Sequence, residues 1–367
     1  METTLVAFAA FAAASSYAGV TIDGLFDAGY QSNSYQGVRV SGFEGNGAGT
    51  SQFNLRGTED LGGGLSSSFH LETDFSSVSN TANTGAALSA SITDTTGGAA
   101  SKFGNGEIAV GLGGGFGKVQ FGAINNAGLE YVALISPDFG TAMGGGYGST
   151  VGAETTFGLV RWANSVRYDT PVISGFQASV ISASKQTQGK STTYSTTMGA
   201  FNVDGATELS ARYTAGPLKV LAVAQTTQKT AGTNDTQRDL GISYNLSDAL
   251  YVAAGVQNTV LASTTGTPNK SAKSVGAVYT MGQNKFAATY TGLSNTYGAI
   301  NSAAANATEL GLGYDYLLSK TTKIYVHYAH LNDAQGASAF KASSNLTTAD
   351  ATNRNYTKSS VGIRMDF

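Results

Sequence analysis

The sequence predicts an all-β fold, a 16-stranded antiparallel transmembrane β-barrel, on three observations. Apolar and polar residues alternate with period two along many short segments, as in strands with one apolar and one polar face. The connections between these segments are alternately long and short. Charged residues make up only 12 % of the 367 residues, about half the ~25 % that is usual in soluble domains. An apolar, aromatic outer face with a polar inner face is typical of a membrane barrel.

The clearest alternation lies in the hairpin Glu309 to Leu331. Its first strand places Leu310, Leu312, Tyr314 and Tyr316 on one face, and the short polar turn 319–322 follows. The second strand alternates in the same way. The apolar face carries large aromatic side chains, which favours contact with lipid over contact with water.

The other strands follow the same rule in chain order, each ending at a Gly-, Ser- or Asn-rich connection. The predicted strands cover residues 20–31, 52–58, 64–75, 107–113, 117–123, 164–169, 175–184, 207–214, 218–228, 238–246, 250–259, 273–281, 285–292, 309–318, 323–331 and 359–367. Residues 32–50 are predicted as the first long loop.

The sixteen strands and their alternating connections indicate how the barrel is threaded. Outer-membrane barrels place short turns on the periplasmic side and long loops outside. An even strand number leaves both termini in the periplasm, and closure removes edges that lipid cannot hydrogen-bond. Sixteen strands leave an aqueous lumen. A solenoid would show a fixed repeat, and none is visible.

Composition excludes several other classes. The 48 glycines admit disorder or a secreted solenoid, but the 35 tyrosines and phenylalanines argue against disorder. Without cysteine the chain has neither disulfides nor thiolate chemistry. A net charge of −3 provides no basic surface, so no nucleic-acid partner is predicted.

The N-terminus is predicted to be a secretory signal peptide over residues 1–18, with the barrel domain at 19–367. Residues 5–14 form an apolar run that is too short to span a bilayer as a helix. Ser16-Tyr17-Ala18 resembles a small-x-small cleavage site. The start lacks the usual Lys or Arg, and a buried N-terminal segment remains the alternative.

Three motifs in the order expected resemble the Gram-negative general porins of β-proteobacterial and neisserial type. Residues 53–65 read FNLRGTEDLGGGL, close to the family's FGLRGTEDLGGGL, and residues 164–171 read NSVRYDTP. Tyr314 to Tyr328 resembles Y-x-L-S-K-R-T-x-x-Y-x-x-Y. The chain ends in VGIRMDF, with the terminal Phe367 that is typical of barrels delivered to the outer-membrane assembly machinery.

The resemblance, which covers about residues 19 to 367, implies an outer-membrane general diffusion porin. Such a protein is a homotrimer of barrels in lipid and lipopolysaccharide, and it passes ions and small hydrophilic solutes. Its third long loop, here about residues 125–163, folds into the lumen and narrows it. Phe367 would be the assembly signal.

Charged side chains on that loop and on the facing wall are the candidate constriction residues, because rings of charge filter ions by sign and size. Asp138 is the first choice among the loop acids, and Arg56 and Arg167 match the family's basic wall. The family's V-R-L-G-R reads V-Q-F-G-A here, at Gln120 and Ala123, which makes the wall less basic. The candidate lumen residues are Arg56, Glu72, Glu130, Asp138, Glu154, Arg161, Arg167 and Arg212.

Two other functions remain open, and an enzyme is not predicted. A substrate-specific channel would differ only in the lumen, with Tyr131, Tyr147 or Trp162 forming a sugar slide. A secreted β-rich adhesin should lack the terminal Phe. His327 and His330 lie on opposite faces of one strand, so no catalytic constellation is evident. Residues 111–118 lack a phosphate loop's first Gly and its Ser or Thr. No cofactor or metal is predicted.

Overall fold

The structure is a computed structural model that describes ten ranges of the chain. These are residues 19–35, 38–45, 47–78, 103–136, 161–186, 203–229, 234–260, 269–296, 305–334 and 355–367. The predicted signal peptide and large parts of the long loops lie outside them.

Strands make up nearly all of the described chain, as the alternating sequence predicts. They are β1 (Gly19–Tyr35), β2 (Val38–Glu44), β3 (Gln52–Gly62), β4 (Leu65–Asp74), β5 (Ile108–Gly114), β6 (Gly117–Asn125), β7 (Arg161–Asp169), β8 (Phe176–Gln186), β9 (Val203–Ala215), β10 (Leu218–Lys229), β11 (Asn234–Asn245), β12 (Leu250–Val260), β13 (Asn269–Met281), β14 (Asn284–Asn295), β15 (Ala305–Leu317), β16 (Thr322–Asn332) and β17 (Tyr356–Asp366).

One helix, α1 (Ala127–Ile135), interrupts this series after β6. Within the described ranges, the chain has no helix with the length and apolar composition that crossing a bilayer requires.

The sheet closes into a ring of sixteen positions, which confirms the predicted fold class. Each strand pairs antiparallel with its neighbour, and β17 returns to β1 with Leu25 opposite Asp366 and Tyr35 opposite Tyr356. On its other edge β1 pairs with β3 through residues 19–25 and with β2 through residues 29–35. Because β2 and β3 lie end to end beside β1, the two strands share one position in the ring.

The two faces of the ring differ as the period-two pattern predicts. Apolar side chains on the outer face are exposed, among them Leu312, Val326 and Val361. Aromatic pairs cluster near the short-turn end: the ring centroids of Phe176 and Tyr213 are 4.3 Å apart, and those of Phe286 and Tyr314 are 5.2 Å apart. The inner face is polar, and its buried members include Asp27, Gln31, Glu208, Gln225, Gln237, Asp239, Gln257, Thr291, Glu309 and Asp315.

Several strands extend beyond their predicted bounds at the long-loop end. β11 begins at Asn234, β13 at Asn269 and β15 at Ala305, each four residues before the predicted start. These added residues are polar or small on both faces, so they carry no apolar alternation. Backbone pairing continues past the point where the outer face stops being apolar, and the sequence pattern marks only the apolar part.

The first long loop was predicted at residues 32–50, and this prediction is wrong in part. β1 continues to Tyr35, and β2 pairs back on it with Tyr30 opposite Phe43. The alternation of Val38 and Val40 with Arg39 and Ser41 was present in the sequence. It is short and lies between glycines, which favours a loop interpretation.

Candidate functional site

The helix α1 lies inside the barrel, in the part of the chain predicted to be the third long loop. It begins after Asn126, whose side-chain oxygen accepts a hydrogen bond from the Leu129 backbone N–H at 3.2 Å. This is the usual way to satisfy a free N–H in the first turn. The helix ends where the Ser136 N–H donates to the Val132 carbonyl at 3.0 Å.

One face of α1 packs against the inner wall formed by β10 to β13. Tyr131, Val132 and Ile135 are buried there against Leu221 and Val223 of β10. Burial raises the pKa of the Tyr131 hydroxyl above its ordinary value, so this side chain is a neutral packing group at any physiological pH. Tyr131 and its neighbours therefore anchor the helix by apolar packing.

Glycines in three successive strands make room for this packing. A Cβ atom on Gly255 would lie 2.5 Å from Tyr131 Oη and 2.6 Å from Ile135 Cγ2. One on Gly241 would lie 3.0 Å from a Leu134 methyl group, and one on Gly276 would lie 2.9 Å from the Ile135 carbonyl oxygen. The wall under α1 is thus a hollow that only residues without a Cβ can form at these distances.

Polar groups of the wall fix both ends of α1. The Ala127 N–H donates to Glu208 Oε1 at 2.7 Å, and Gln225 Nε2 donates to Glu208 Oε2 at 2.6 Å. At the other end, Tyr251 Oη donates to the Leu134 carbonyl at 2.6 Å. A carboxylate at the N-terminus of a helix also interacts favourably with the helix dipole.

The charged residues Glu130, Arg167 and Arg212, all predicted from the sequence, meet at the first turn of α1. Arg212 binds Glu130 through two parallel hydrogen bonds, Nε to Oε2 at 2.5 Å and Nη2 to Oε1 at 2.6 Å. Arg167 Nη2 donates to the same Oε1 at 3.1 Å, and its Nε donates to both oxygens of Asp169. Two wall arginines therefore hold one helix carboxylate, and bidentate pairing of this kind is among the stronger hydrogen-bonded contacts.

The other predicted charges that the structure describes lie apart from this cluster. Arg161 Nη2 donates to Glu72 Oε1 at 2.7 Å near the start of β7. Arg56 pairs with Asp23 of β1 at 2.8 Å, and both side chains are about two-fifths exposed to the lumen (44 % and 41 %). Arg56 contacts the wall and not the described part of the third loop. Asp138 and Glu154 lie outside the described residues.

A second segment, between β2 and β3, also folds into the lumen. It consists of the described residues 45 and 47–51 and is called the segment 45–51. The Ala48 N–H donates to Asp27 Oδ2 at 2.5 Å, and Arg364 Nη1 donates to the Ala48 carbonyl at 3.0 Å. Tyr325 Oη donates to Asp27 Oδ1 at 2.6 Å, so Asp27 joins this segment to β16. Residues 45–51 narrow the barrel from the side of β1, β16 and β17.

Sequence reasoning did not find Glu208, Asp27 or Tyr325 as residues that hold the lumen insertions. All three have inward parity on predicted strands, which was the available signal. Their partners are far away in sequence, 298 residues in the case of Tyr325 and Asp27. Parity shows which face a side chain occupies, but not what lies opposite it.

The aromatic residues proposed for a sugar slide do not provide a stacking surface in the described chain. The Tyr131 side chain is buried between α1 and the barrel wall. Trp162 packs against Ile124 and Ile181 and is 3 % exposed. Tyr147 lies outside the described residues. Phe367 closes the ring: its N–H donates to the Gly24 carbonyl at 3.0 Å, and its side chain packs on Phe26 at 5.8 Å between ring centroids.

Known proteins resemble this chain in sequence and in fold. A model of the Gram-negative porin family matches residues 3–336. The outer membrane porin protein 32 of Delftia acidovorans is 29 % identical over 354 residues, covering 91 % of this chain and 90 % of the relative. The structure of an anion-selective porin from Comamonas acidovorans is 25 % identical with a TM-score of 0.68, covering 96 % of this chain and all of that one. The fold alone is shared with Salmonella typhi OmpF, at 15 % identity and a TM-score of 0.63 over 95 % of this chain and 97 % of that one.

Proposed function

This chain belongs to the Gram-negative porin family, and from that membership we propose that its lumen is a general diffusion path narrowed by α1 and by residues 45–51. The protein is an outer-membrane porin that forms a passive channel. The observation that carries the proposal is the closed ring of sixteen positions with a polar inner face. A ring of this size leaves room for water.

The third long loop, residues 125–163, is the main constriction in this proposal. Support comes from α1, which is tied to the wall by Glu208, Tyr251 and the two arginines that bind Glu130. A helix held at both ends and along one face keeps a constant pore width. Asp138 and Glu154 are proposed to face the lumen from the remainder of the loop.

The solutes are proposed to be ions and small hydrophilic molecules, with weak selectivity. The described arginines that were predicted to line the pore are each paired with an acid: Arg56 with Asp23, Arg161 with Glu72, and Arg167 and Arg212 with Glu130. Paired charges largely cancel at a distance, so they discriminate less by sign than an unpaired ring does. The similar porin from Comamonas acidovorans is anion-selective.

We also propose four further features of the family for this chain. They are the homotrimer, the contact with outer-membrane lipid and lipopolysaccharide, the recognition by the barrel assembly machinery, and the removal of residues 1–18 as a signal peptide. That the protein has no catalytic activity also stays a prediction.

The assembly role of Phe367 is testable by deleting that residue. The deletion removes the hydrogen bonds to Gly24 and the contact with Phe26, and we expect fewer heat-modifiable oligomers in the outer membrane. Gel mobility with and without heating measures this. A normal oligomer yield after deletion would count against Phe367 as an assembly signal.

The pore itself is tested in planar bilayers and in liposomes. Purified protein should give stepwise conductance increments in symmetric salt. Liposomes that contain it should swell in small sugars, at rates that fall steadily with sugar size. A substrate-specific channel would instead give saturable uptake of one sugar. Absence of any conductance from correctly folded protein would refute the diffusion function.

A further inference from the structure

A group of three potential metal ligands lies on the inner wall at the long-loop end of β4. His70 and Glu72 project from β4 into the lumen, and Glu107 lies directly before β5. One ligand atom from each lies within 4.8 Å of the others. Backbone hydrogen bonds hold the two strands in register, from the Glu72 N–H to the Glu107 carbonyl at 2.9 Å and from the Gly106 N–H to the Glu72 carbonyl at 3.0 Å.

Both ring nitrogens of His70 face oxygen acceptors. Nε2 lies 3.0 Å from Asn54 Oδ1, and Nδ1 lies 3.1 Å from Glu107 Oε2. The Asn54 amide cannot be reversed without loss, because its Nδ2 donates to Asp23 Oδ1 at 2.9 Å. A neutral imidazole has one N–H, which can serve Asn54 Oδ1 or Glu107 Oε2 but not both. With the proton on Nε2, the Nδ1 lone pair faces a carboxylate oxygen, and a positive atom between the two makes that contact favourable.

That positive atom is either a second proton on His70 or a metal ion. Metal-binding histidines characteristically donate their other ring N–H to a nearby oxygen, which orients the ring. Asn54 provides that oxygen, and Asp23 orients Asn54. The distance of 3.1 Å between Nδ1 and Glu107 Oε2 is also close to the separation of two ligand atoms on one tetrahedral ion. The bonds from such an ion to its ligands are about 2.0–2.2 Å long.

The surroundings carry more negative than positive charge. Glu72, Glu107 and Asp74 lie together on this wall, and Arg161 forms an ion pair with Glu72. Asp74 Oδ1 is buried and accepts no hydrogen bond from the described residues. With a neutral His70, a divalent cation would balance this excess. Arg161 could release Glu72 and remain held by Asn125 Oδ1 at 2.9 Å and the Asn105 carbonyl at 3.3 Å.

We propose that His70 Nδ1, Glu72 and Glu107 bind a divalent transition-metal ion of the Zn²⁺ class, with water from the lumen as the remaining ligand. Mixed imidazole and carboxylate ligands suit Zn²⁺ better than Mg²⁺ or Ca²⁺, which prefer oxygen alone. The ion would lie at the base of α1, because Glu107 Oε1 accepts the Asn125 N–H at 3.0 Å. It would add positive charge to the pore wall beside the constriction.

Zinc binding is measured by calorimetry on the folded, metal-stripped full-length protein in detergent. In a titration with ZnCl₂ we expect wild type to bind one Zn²⁺ ion per chain. The affinity for Zn²⁺ should be at least tenfold weaker in both His70→Ala and Glu107→Gln. Asn54→Ala should weaken binding by about 10-fold, as loss of an orienting partner does. His330→Ala is the matched control, because His330 contacts Thr357 Oγ1 away from the site and should leave binding unchanged.

Further measurements distinguish zinc binding at this site from misfolding of a variant and from non-specific binding of divalent cations. His70→Gln preserves side-chain size should His70→Ala fail to fold, and heat-modifiable mobility reports folding for each variant. MgCl₂ at the same concentration should give no binding. In bilayers, ZnCl₂ should shift the wild-type reversal potential towards anions and leave that of His70→Ala unmoved.

Two results would overturn the proposal. One is equal zinc affinity in wild type and His70→Ala, and the other is no zinc binding to folded wild type, which would make His70 and Glu107 an ion pair only. Zinc binding to protein that does not conduct would instead support the site and refute the diffusion function, so the two proposals fail separately.

Discussion

The helix α1 and the segment 45–51 both lie inside the barrel, but the wall holds them by different interactions. The helix satisfies most of its own backbone hydrogen bonds, so it can pack an apolar face into the hollow formed by Gly241, Gly255 and Gly276. The segment 45–51 has no regular structure. Its buried backbone groups need partners from the wall, and Asp27 and Arg364 supply them at Ala48.

The wall residues around the two insertions follow from this difference. Where Tyr131, Val132 and Ile135 pack, the wall is formed by Leu221, Val223 and glycines. The described hydrogen bonds between α1 and the wall lie in the first turn of the helix and at Leu134. Around residues 45–51 it is polar and includes His327, whose Nδ1 donates to the Gly47 carbonyl at 3.3 Å. We therefore expect the first insertion to respond to changes of side-chain volume and the second to loss of single hydrogen-bonding groups.

The largest effect is expected from Asp27→Ala, which removes the acceptor for both the Ala48 N–H and Tyr325 Oη. Each buried donor left without a partner costs about 1–3 kcal/mol. Residues 45–51 should leave the wall, with a lower free energy of unfolding in denaturant and a noisier open-channel current. Asp23→Ala on the same strand is the control, since Asp23 does not contact this segment. Equal stability of Asp27→Ala and wild type would contradict the polar attachment.

A smaller effect is expected from Gly255→Leu, which overfills the hollow under α1. Overpacking of this kind costs about 1–3 kcal/mol. Because the new side chain comes from the wall, it can move α1 only towards the pore axis, and single-channel conductance should fall. Gly292→Leu introduces the same side chain on β14, where a Cβ would meet nothing within 4 Å. Conductance lowered equally by both variants would show that α1 is not the element displaced.

Glu130→Gln should alter selectivity more than stability. The substitution keeps the size of the side chain and removes the charge that Arg167 and Arg212 share. The reversal potential across a salt gradient should shift towards anions. The shift should shrink between 0.1 M and 1 M salt, where the screening length falls from about 10 Å to about 3 Å.

The control for this measurement is Glu59→Gln, the same charge change near the short-turn end of β3 with outward parity. It should leave the reversal potential unchanged. A shift of equal size in both variants would mean that net charge, and not the α1 cluster, sets the selectivity.

Arg56→Glu is expected to have the smallest effect. Its pair with Asp23 is well exposed to the lumen, and exposed ion pairs contribute about 0–1 kcal/mol. Folding should be unchanged, and the reversal potential should move modestly towards cations. Thermal unfolding and bilayer recordings measure the two quantities. A loss of stability as large as that of Asp27→Ala would show that Arg56 belongs to the structural contacts and not to the solvated wall.

The strands and their two faces were predictable because the signal for them is local. A residue with outward parity faces away from the lumen wherever its strand lies in the ring, so Leu312 and Val326 could be assigned from their neighbours alone. The alternation of long and short connections then required an antiparallel ring. The sixteen positions followed from counting strands, and β2 did not change that count because it shares a position with β3.

The lumen was predictable only in part, for a physical reason. Charge, loop position and the family motif indicated Glu130, Arg167 and Arg212 as lumen residues, but their meeting at α1 depends on how the loop after β6 enters the ring. The same holds for Asp27 and Tyr325, which belong to strands at opposite ends of the chain. Contacts across a closed barrel depend on its curvature, on the register of every strand between the partners and on where a loop folds inward, and only the tertiary structure contains all three.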